Sequence, residues 1–228
     1  MKISVIIPAY NEEENIGKTL DAVLASDYPN FEVIVIDNAS KDRTFEVASK
    51  KGVKVIQETR KGTMWACEAG RQKATGDIIV RLDADCLPEK DWLTRGTHWF
   101  ADKKVSAVSG PYDYFDGPTV FRYFTLGLQK YLYVPINYFL SFFGIGGITI
   151  GGNTFMRAES LEKIHGFNTS ITFYGDDTDV AKRLSAVGKV IFDGSLVIKT
   201  SARRFKSEGT FKITLKYVYH FFKVMFIS

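Results

Sequence analysis

Strand-length apolar runs that alternate with helix-length segments are the feature that most constrains the fold of this chain. Such runs occupy residues 3–8, 31–36, 53–56 and 78–82, and a polar turn follows each of them. Strands alternating with helices at this spacing predict an α/β fold with a largely parallel, doubly wound sheet. Ligands of such sheets bind outside the carboxyl ends of the strands. We therefore expect the functional site beside the residues that follow these runs.

The segments between and after these runs predict further elements. We expect helices over 42–50, 62–74, 92–100, 158–164 and 175–187, and strands over 105–109, 149–156 and 190–197. Asn11 and the acids that follow it at 12–14 predict the capped, acidic start of the first helix. The buried stripe of this helix is expected to comprise Ile16, Leu20, Val23 and Leu24.

The run at 78–82 stops abruptly at Asp83 and Asp85, which are separated only by Ala84. Two carboxylates at this spacing repel each other in a partly buried site unless a cation lies between them, and carboxylates suit Mg or Mn. The alternative interpretation is a pair of solvated acids in a turn. The pair by itself leaves both interpretations open.

Composition narrows the possible partners. The chain has 30 basic and 26 acidic residues in 228, a balance that does not indicate nucleic-acid binding. Cys67 and Cys86 are its two cysteines, which provide neither a disulfide framework nor metal-ligand spacing. The amino terminus does not have the pattern of a signal peptide, so we expect a cytoplasmic location, with peripheral attachment to the inner face of the cell membrane as an extension of it.

An uncharged span of 26 residues lies between Lys130 and Arg157. Its length is that of a membrane-spanning helix, but Pro135, Asn137 and five glycines interrupt it. We expect a helix near 120–143 that either packs on the sheet or dips into a membrane surface, followed by a glycine-rich turn.

The last segment, 211–227, places Lys212, Lys216, His220 and Lys223 on one face of an otherwise apolar helix. This pattern suits a basic amphipathic helix in a membrane interface. A terminal helix docked on the core, or a contact between protomers, is the alternative, and the sequence does not indicate an oligomeric state.

Five short motifs occur in order along the chain, three of them at predicted strand ends: 7–12 (IPAYNE), 37–42 (DNASKD), 83–85 (DAD), 151–154 (GGNT) and 175–179 (GDDTD). Over about residues 1–205 the chain resembles family 2 glycosyltransferases of the GT-A fold. The resemblance implies inverting transfer of a sugar from a nucleotide-sugar donor, with UDP favoured, and a Mn or Mg ion. It also implies a nucleotide-binding half at about 1–110, an acceptor-binding half at about 111–208, and the helix 209–228 beyond them. The acceptor is expected to be a lipid-linked or cell-envelope glycan.

The resemblance also implies a role for each motif residue. The expected nucleotide-binding residues are Pro8, Tyr10, Glu12, Asp37, Lys61, Asp83, Arg203 and Arg204. Asp83 and Asp85 are the expected metal ligands, and Gly152, Asn153 and Asp176 are the expected acceptor-binding residues. Asp177 is the expected catalytic base. Asp176 stands where the family more often has glutamate.

Two other functions are open to a chain of this pattern. A sugar nucleotidyltransferase needs a glycine-rich, basic loop after its first strand, and residues 8–12 do not form one. A non-catalytic scaffold of the same fold does not need both Asp85 and Asp177. The absence of a Gln-x-x-Arg-Trp motif further favours an enzyme that transfers a single sugar.

Overall fold

A computed structural model describes residues 1–171 and 174–226 of the chain. Its main sheet has seven strands, in the order β3-β2-β1-β4-β7-β5-β8. These strands are β1 (Ile3–Ala9), β2 (Phe31–Asp37), β3 (Lys54–Gln57), β4 (Ile78–Leu82), β5 (Val105–Ser109), β7 (Asn153–Arg157) and β8 (Lys189–Phe192). A second, two-stranded sheet pairs β6 (Tyr112–Tyr114) with β9 (Ile198–Thr200).

Helices cover both faces of the main sheet. They are α1 (Ile16–Leu24), α2 (Thr44–Ser49), α3 (Thr63–Lys73), α4 (Trp92–His98), α5 (Thr119–Leu128), α6 (Val134–Phe142), α7 (Ala158–Lys163), α8 (Asp176–Ser185), α9 (Arg203–Glu208) and α10 (Thr210–Phe226). The first four strands of the chain are parallel, and β7 enters antiparallel between β4 and β5. The predicted α/β architecture is therefore confirmed.

Register brings the carboxyl ends of three strands to one edge of the sheet. Ala9 at the end of β1 pairs with Asp37 at the end of β2. On the other side of β1, Ile6 pairs with Arg81, so Asp83 and Asp85 emerge beside the end of β1. The predicted meeting of the motifs at this edge follows directly from the pairing.

The core has one hydrophobic layer on each face of the sheet. Ile3, Val5 and Ile7 pack with α1, whereas Ile6 packs on the opposite face with residues of α3. Because side chains alternate between the faces of a strand, β1 contributes to both layers. A strand that is apolar on both faces is typical of parallel sheets covered by helices on each side.

The start of the first helix differs from the prediction. α1 begins at Ile16, and Asn11 lies before it with φ of 54°. The Asn11 Oδ1 atom accepts a hydrogen bond from the Lys41 amide, and the Glu12 amide donates to Thr44 Oγ1. Contacts with the loop after β2 therefore hold this segment outside the helix. Leu24, predicted to be buried, is exposed.

Two predicted strands also differ. The strand expected over 149–156 begins only at Asn153, because residues 149–152 form a turn against the sheet edge. The strand expected over 190–197 ends at Phe192 in β8, and the next strand, β9, begins only at Ile198 and belongs to the other sheet.

The helix expected near 120–143 is present, but it contains a π-helical segment at Gln129–Tyr133 between α5 and α6. The Gln129 amide bonds both the main-chain N–H and the carbonyl oxygen of Tyr112. Asn137 fixes α6 to the sheet by donating to the Val190 carbonyl oxygen at 2.9 Å. Within residues 1–171 and 174–226, none of the helices combines the length and hydrophobicity needed to cross a bilayer.

Candidate active site

A cavity of about 500 Å³ opens at the carboxyl edge of the sheet. We call it the edge cavity. Most of the predicted site residues line it: Pro8, Tyr10, Glu12, Asp83, Asp85, Asp176, Asp177, Arg203 and Arg204. They come from four separate segments of the chain, and the fold brings them together.

Asp83 is held from two sides directly after β4. Its Oδ2 atom accepts a 2.9 Å hydrogen bond from the Tyr112 hydroxyl. Its Oδ1 atom lies 3.7 Å from Nε of Arg81. Because Tyr112 is fixed in turn by Gln129, the orientation of the Asp83 carboxylate depends on the second sheet and on the π-helical segment.

Asp85 lies deeper in the edge cavity, 3.4 Å from Arg203 Nε and 3.3 Å from the Thr200 hydroxyl. Burial and the neighbouring Asp83 carboxylate raise the pKa of Asp85 to about 7, against the opposing charge of Arg203. A buried carboxylate with a raised pKa gains from a nearby cation.

The two acids also fit a divalent ion in their chemistry. Carboxylate oxygens suit Mg²⁺ and Mn²⁺, which are commonly bound by one or two carboxylates together with substrate phosphates and water. In the described part of the chain, groups of three or more histidine, cysteine or acidic side chains placed to hold a metal are absent.

Asp176 and Asp177 begin helix α8, directly after Gly175, whose φ of 84° turns the chain into the helix. The same guanidinium nitrogen, Nη1 of Arg81, lies 2.9 Å from Asp176 Oδ2 and 3.2 Å from Asp177 Oδ1. Burial and Asp176 raise the pKa of Asp177, and Arg81 acts against that increase.

Arg81 is the functional candidate that the sequence analysis missed. It lies in the buried strand β4 with 8% of its surface exposed, between the carboxylates after β4 and those at the start of α8. A charged residue in a strand otherwise made of apolar residues was the available signal. Three aromatic residues that line the edge cavity were also missed: Tyr112, Tyr174 and Tyr217.

Glu12 and Arg203 form an ion pair that connects the loop after β1 with the segment after β9. Glu12 also accepts a hydrogen bond from the Asn15 amide at 2.9 Å. Arg203 contacts both Glu12 and Asp85, so it lies between the loop after β1 and the carboxylates after β4.

Four predicted residues lie outside the lining of the edge cavity. The side chain of Asn153 is fully buried in this structure. Its amide accepts from Trp92 Nε1 at 2.9 Å and donates to the Leu196 carbonyl oxygen at 2.7 Å, so it secures β7. At Gly152 a Cβ atom would lie only 2.3 Å from the carboxylate carbon of Asp83, so glycine permits the close approach of this turn.

The remaining two lie next to the cavity. Asp37 is buried, and its Oδ1 atom accepts no hydrogen bond from the described residues. Lys61 is exposed, with its ammonium group 5.8 Å from the Tyr10 ring centre. The neighbouring Gly62 donates its amide proton to Asn38 Oδ1, and Asn38 does line the edge cavity.

Comparison with known proteins agrees with this geometry. The family described as Glycosyl transferase family 2 matches residues 4–165. The chain belongs to this family. Glycosyltransferase AglE of Haloferax volcanii is 39% identical over 116 residues, which cover 47% of this chain and 38% of that protein. Dolichol-phosphate mannosyltransferase of Pyrococcus furiosus is 45% identical over 91 residues, covering 37% of this chain and 26% of that protein.

Solved structures share the whole architecture. Mannosyltransferase PcManGT from Pyrobaculum calidifontis, in complex with GDP-Man and Mn²⁺, matches with a TM-score of 0.75 and 28% identity. The match covers 97% of this chain and 63% of that one. Staphylococcus aureus TarS matches with a TM-score of 0.71 at 18% identity, over 97% of this chain and 44% of that one, which shows the fold alone. The GT-A fold is thus confirmed. The chain spans less than two thirds of the length of these relatives.

Proposed function

We propose that this chain is the catalytic region of an inverting glycosyltransferase that transfers a sugar from a nucleotide-sugar donor to an acceptor hydroxyl. Residues 1–110 would hold the nucleotide, residues 111–208 would shape the acceptor side, and 209–228 would follow as a basic amphipathic helix. The observation that carries the proposal is that one cavity contains both a carboxylate pair after β4 and the Asp176–Asp177 pair at the start of α8.

On the acceptor side, Asp177 would take the proton of the attacking hydroxyl group. Arg81 holds the Asp177 carboxylate at 3.2 Å and so fixes the direction in which its oxygen accepts the proton. General base catalysis of this kind contributes roughly 10² to 10⁴ in rate. Attack on the face opposite the leaving diphosphate would invert the anomeric configuration.

On the donor side, Arg203 and Arg204 would bind phosphate oxygens, for which the guanidinium fork is well suited. A divalent ion held by Asp83 and Asp85 would neutralise negative charge on the diphosphate leaving group. When the donor binds, the ion pair between Glu12 and Arg203 would have to break, and Glu12 would then accept a hydrogen bond from a ribose hydroxyl. This exchange would release Arg203 toward the phosphates.

The base would lie between Pro8, Tyr10 and Asp37. Tyr10 offers a ring that is 47% exposed, and the unsatisfied Oδ1 of buried Asp37 could accept a proton from a base N–H. Lys61, whose ammonium group lies near the Tyr10 ring, would border the base on the side of Tyr10. The sequence favours UDP, whereas the relative with 28% identity was solved with GDP-Man, so GDP is the competing nucleotide.

A lipid-linked or cell-envelope glycan acceptor is the second part of the proposal. The names of two relatives, a dolichol-phosphate mannosyltransferase and a dolichyl-linked glucuronosyltransferase of Methanococcus voltae, support a lipid-linked one. A sugar nucleotidyltransferase is less well supported, because the loop after β1 carries an ion-paired glutamate where a triphosphate would need basic groups.

Calorimetric titration tests the donor site. UDP and GDP are titrated separately into wild-type protein with Mn²⁺ and then with a chelator. We expect one nucleotide to bind in a metal-dependent manner, and Asp85→Ala to weaken binding at least tenfold. Asp21→Ala, which removes an exposed acid on α1, is the matched control and should bind normally. The donor site is wrong if neither nucleotide binds the wild type, or if binding ignores both the metal and Asp85.

A further inference from the structure

Helix α10 has two apolar faces, and only one of them packs on the protein. Ile213 and Met225 are buried, and Met225 joins a cluster with Leu140 of α6 and Phe192 of β8. The opposite side exposes a second set of large apolar residues: Phe211, Leu215, Val218, Tyr219, Phe222 and Phe226. Spacings of three or four residues along this set place it in one row, which we call the α10 stripe.

The neighbouring helical arm repeats this arrangement. Between Thr119 and Phe142 the large exposed residues include Val120, Phe124, Tyr131, Tyr138 and Phe142, with exposed fractions from 68% to 83%. Leu140 of α6 and Met225 of α10 belong to the same buried cluster, so the two exposed sets lie on helices that share part of the core. Singly exposed apolar residues are ordinary, but large contiguous sets mark an interaction surface.

Charge identifies the kind of partner. Residues 119–142 and 210–226 contain five lysines and arginines and not one aspartate or glutamate. Lys212, Lys216 and Lys223 each directly follow a residue of the α10 stripe, so they form a row along its flank. Lysines are depleted at protein–protein interfaces. An aromatic stripe bordered by lysines is instead the pattern of a helix lying in a membrane interface with anionic lipids.

We infer that the α10 stripe, together with the exposed side of α5–α6, docks on a bilayer that contains anionic lipids. Phe222 and Phe226 enter the region between headgroups and acyl chains. Lys212 and Lys223 meet the lipid phosphates, since neither is ion-paired with any carboxylate among residues 1–171 and 174–226. The lysine stems lie along the apolar surface while their ammonium groups remain at the headgroup level.

The same helix borders the edge cavity. Tyr217 lines it, and Lys216 donates to the hydroxyl of Tyr174, another lining residue, at 3.3 Å. Docking therefore brings the edge cavity next to the bilayer surface. This inference rests on the proposed function only for its purpose, which is delivery of a lipid-linked acceptor. The docking itself requires neither donor nor metal.

Vesicle flotation tests the inference. Wild-type protein is mixed, without nucleotide or metal, with vesicles of phosphatidylcholine alone or with phosphatidylglycerol added. We expect binding to the anionic vesicles, weakened at least tenfold by the double variant Phe222→Ser/Phe226→Ser. Leu24→Ser/Phe45→Ser, which alters exposed apolar residues on α1 and α2, is the matched control and should float as the wild type does.

Charge and depth give two further readouts. Lys212→Gln/Lys223→Gln should lower binding to anionic vesicles by about fivefold per charge removed, whereas Lys18→Gln/Lys103→Gln should not. A tryptophan at position 222, introduced as Phe222→Trp, should be quenched by brominated acyl chains more strongly than the native tryptophans of the wild type. Thermal unfolding of each variant checks that its fold is intact.

Three results would overturn the inference. The first is wild-type protein that does not bind anionic vesicles, and the second is a stripe variant that binds them as well as the wild type does. The third is a dimer in light scattering that Phe222→Ser/Phe226→Ser dissociates, which would make the surface a contact between copies of this chain. If the protein binds nucleotide but does not float with vesicles, only the membrane surface is contradicted. If it floats with vesicles but does not bind nucleotide, only the donor site is contradicted.

Discussion

The two halves of the molecule treat their aromatic and apolar residues in opposite ways. In the half formed by β1 to β4, most large apolar side chains point into the two core layers. In α5, α6 and α10, most large apolar side chains point away from the protein. The first half is therefore stabilised by its own core, and the second presents a surface whose apolar area is left for a partner. Substitutions should separate these two behaviours.

The largest effect is expected at the boundary between the halves. Asp177→Asn removes the proposed base but keeps the size of the side chain, so transfer should fall by about 10² to 10⁴. Release of UDP or GDP from a sugar nucleotide measures the loss, with a sugar linked to a short polyisoprenyl diphosphate as the acceptor that supplies the hydroxyl group. Nucleotide affinity should stay within about twofold. A variant that transfers at the wild-type rate would show that Asp177 is not the base.

Buried and exposed aromatic residues give the sharpest comparison of stability. Phe155 is fully buried, with its ring centre 4.8 Å from that of Trp92. Phe155→Ala should lower the free energy of unfolding by about 3–5 kcal/mol, measured by urea denaturation. Phe222→Ala on the α10 stripe should change it by no more than about 0.5 kcal/mol. Equal losses at both positions would show that the α10 stripe contributes to stability as the core does.

Arg81 connects the carboxylates of the two halves. Arg81→Met would leave Asp176 and Asp177 without the cation that opposes the increase in the pKa of Asp177. We expect transfer to fall by about 10- to 100-fold, with the acidic limb of the pH–rate profile displaced to higher pH. Arg81→Lys should recover part of both properties. An unchanged profile in Arg81→Met would show that Arg81 only fills space.

Asp85 should link stability to pH. Its pKa in the folded protein is raised to about 7, so the folded state is favoured while the group is protonated, and this contribution is lost as pH rises through about 7. Asp85→Asn should therefore be more stable than the wild type by about 2 kcal/mol at pH 8 and equal to it near pH 4. Urea denaturation at both pH values measures the difference. Mn²⁺ should stabilise only the wild type at pH 8.

Local sequence patterns predicted the features of the fold that depend only on neighbouring residues. The apolar runs of β1, β2 and β4 are bounded by polar turns, so the strands and the edge at which they end could be predicted from the sequence. Asn11 could not, because a capping residue and a residue held by the loop after β2 have the same sequence pattern, and the contact with Lys41 is distant along the chain. Long-range contacts also decide the division between β8 and β9.

Within the site, acids at strand and helix ends were predictable, because each lies in a short motif. Asn153 lies in such a motif too, yet its amide is used by Trp92 and Leu196. Arg81 belongs to no motif, and its role emerges only when β4 and α8 are brought together. A motif thus predicts that a residue matters, whereas tertiary contacts decide whether it faces the cavity or the core.

The antiparallel strand β7 has a consequence for how the chain is made. β3, β2, β1 and β4 can pair with one another as soon as they leave the ribosome, because all four lie before residue 83. β5 is synthesised next, but its neighbours in the sheet are β7 and β8. Until residue 157 has emerged, the nascent chain holds a four-stranded sheet with β4 as an open edge, and open edges invite wrong pairing. Five residues, Asn153–Arg157, therefore cover the open side of β4 late in the synthesis of the chain.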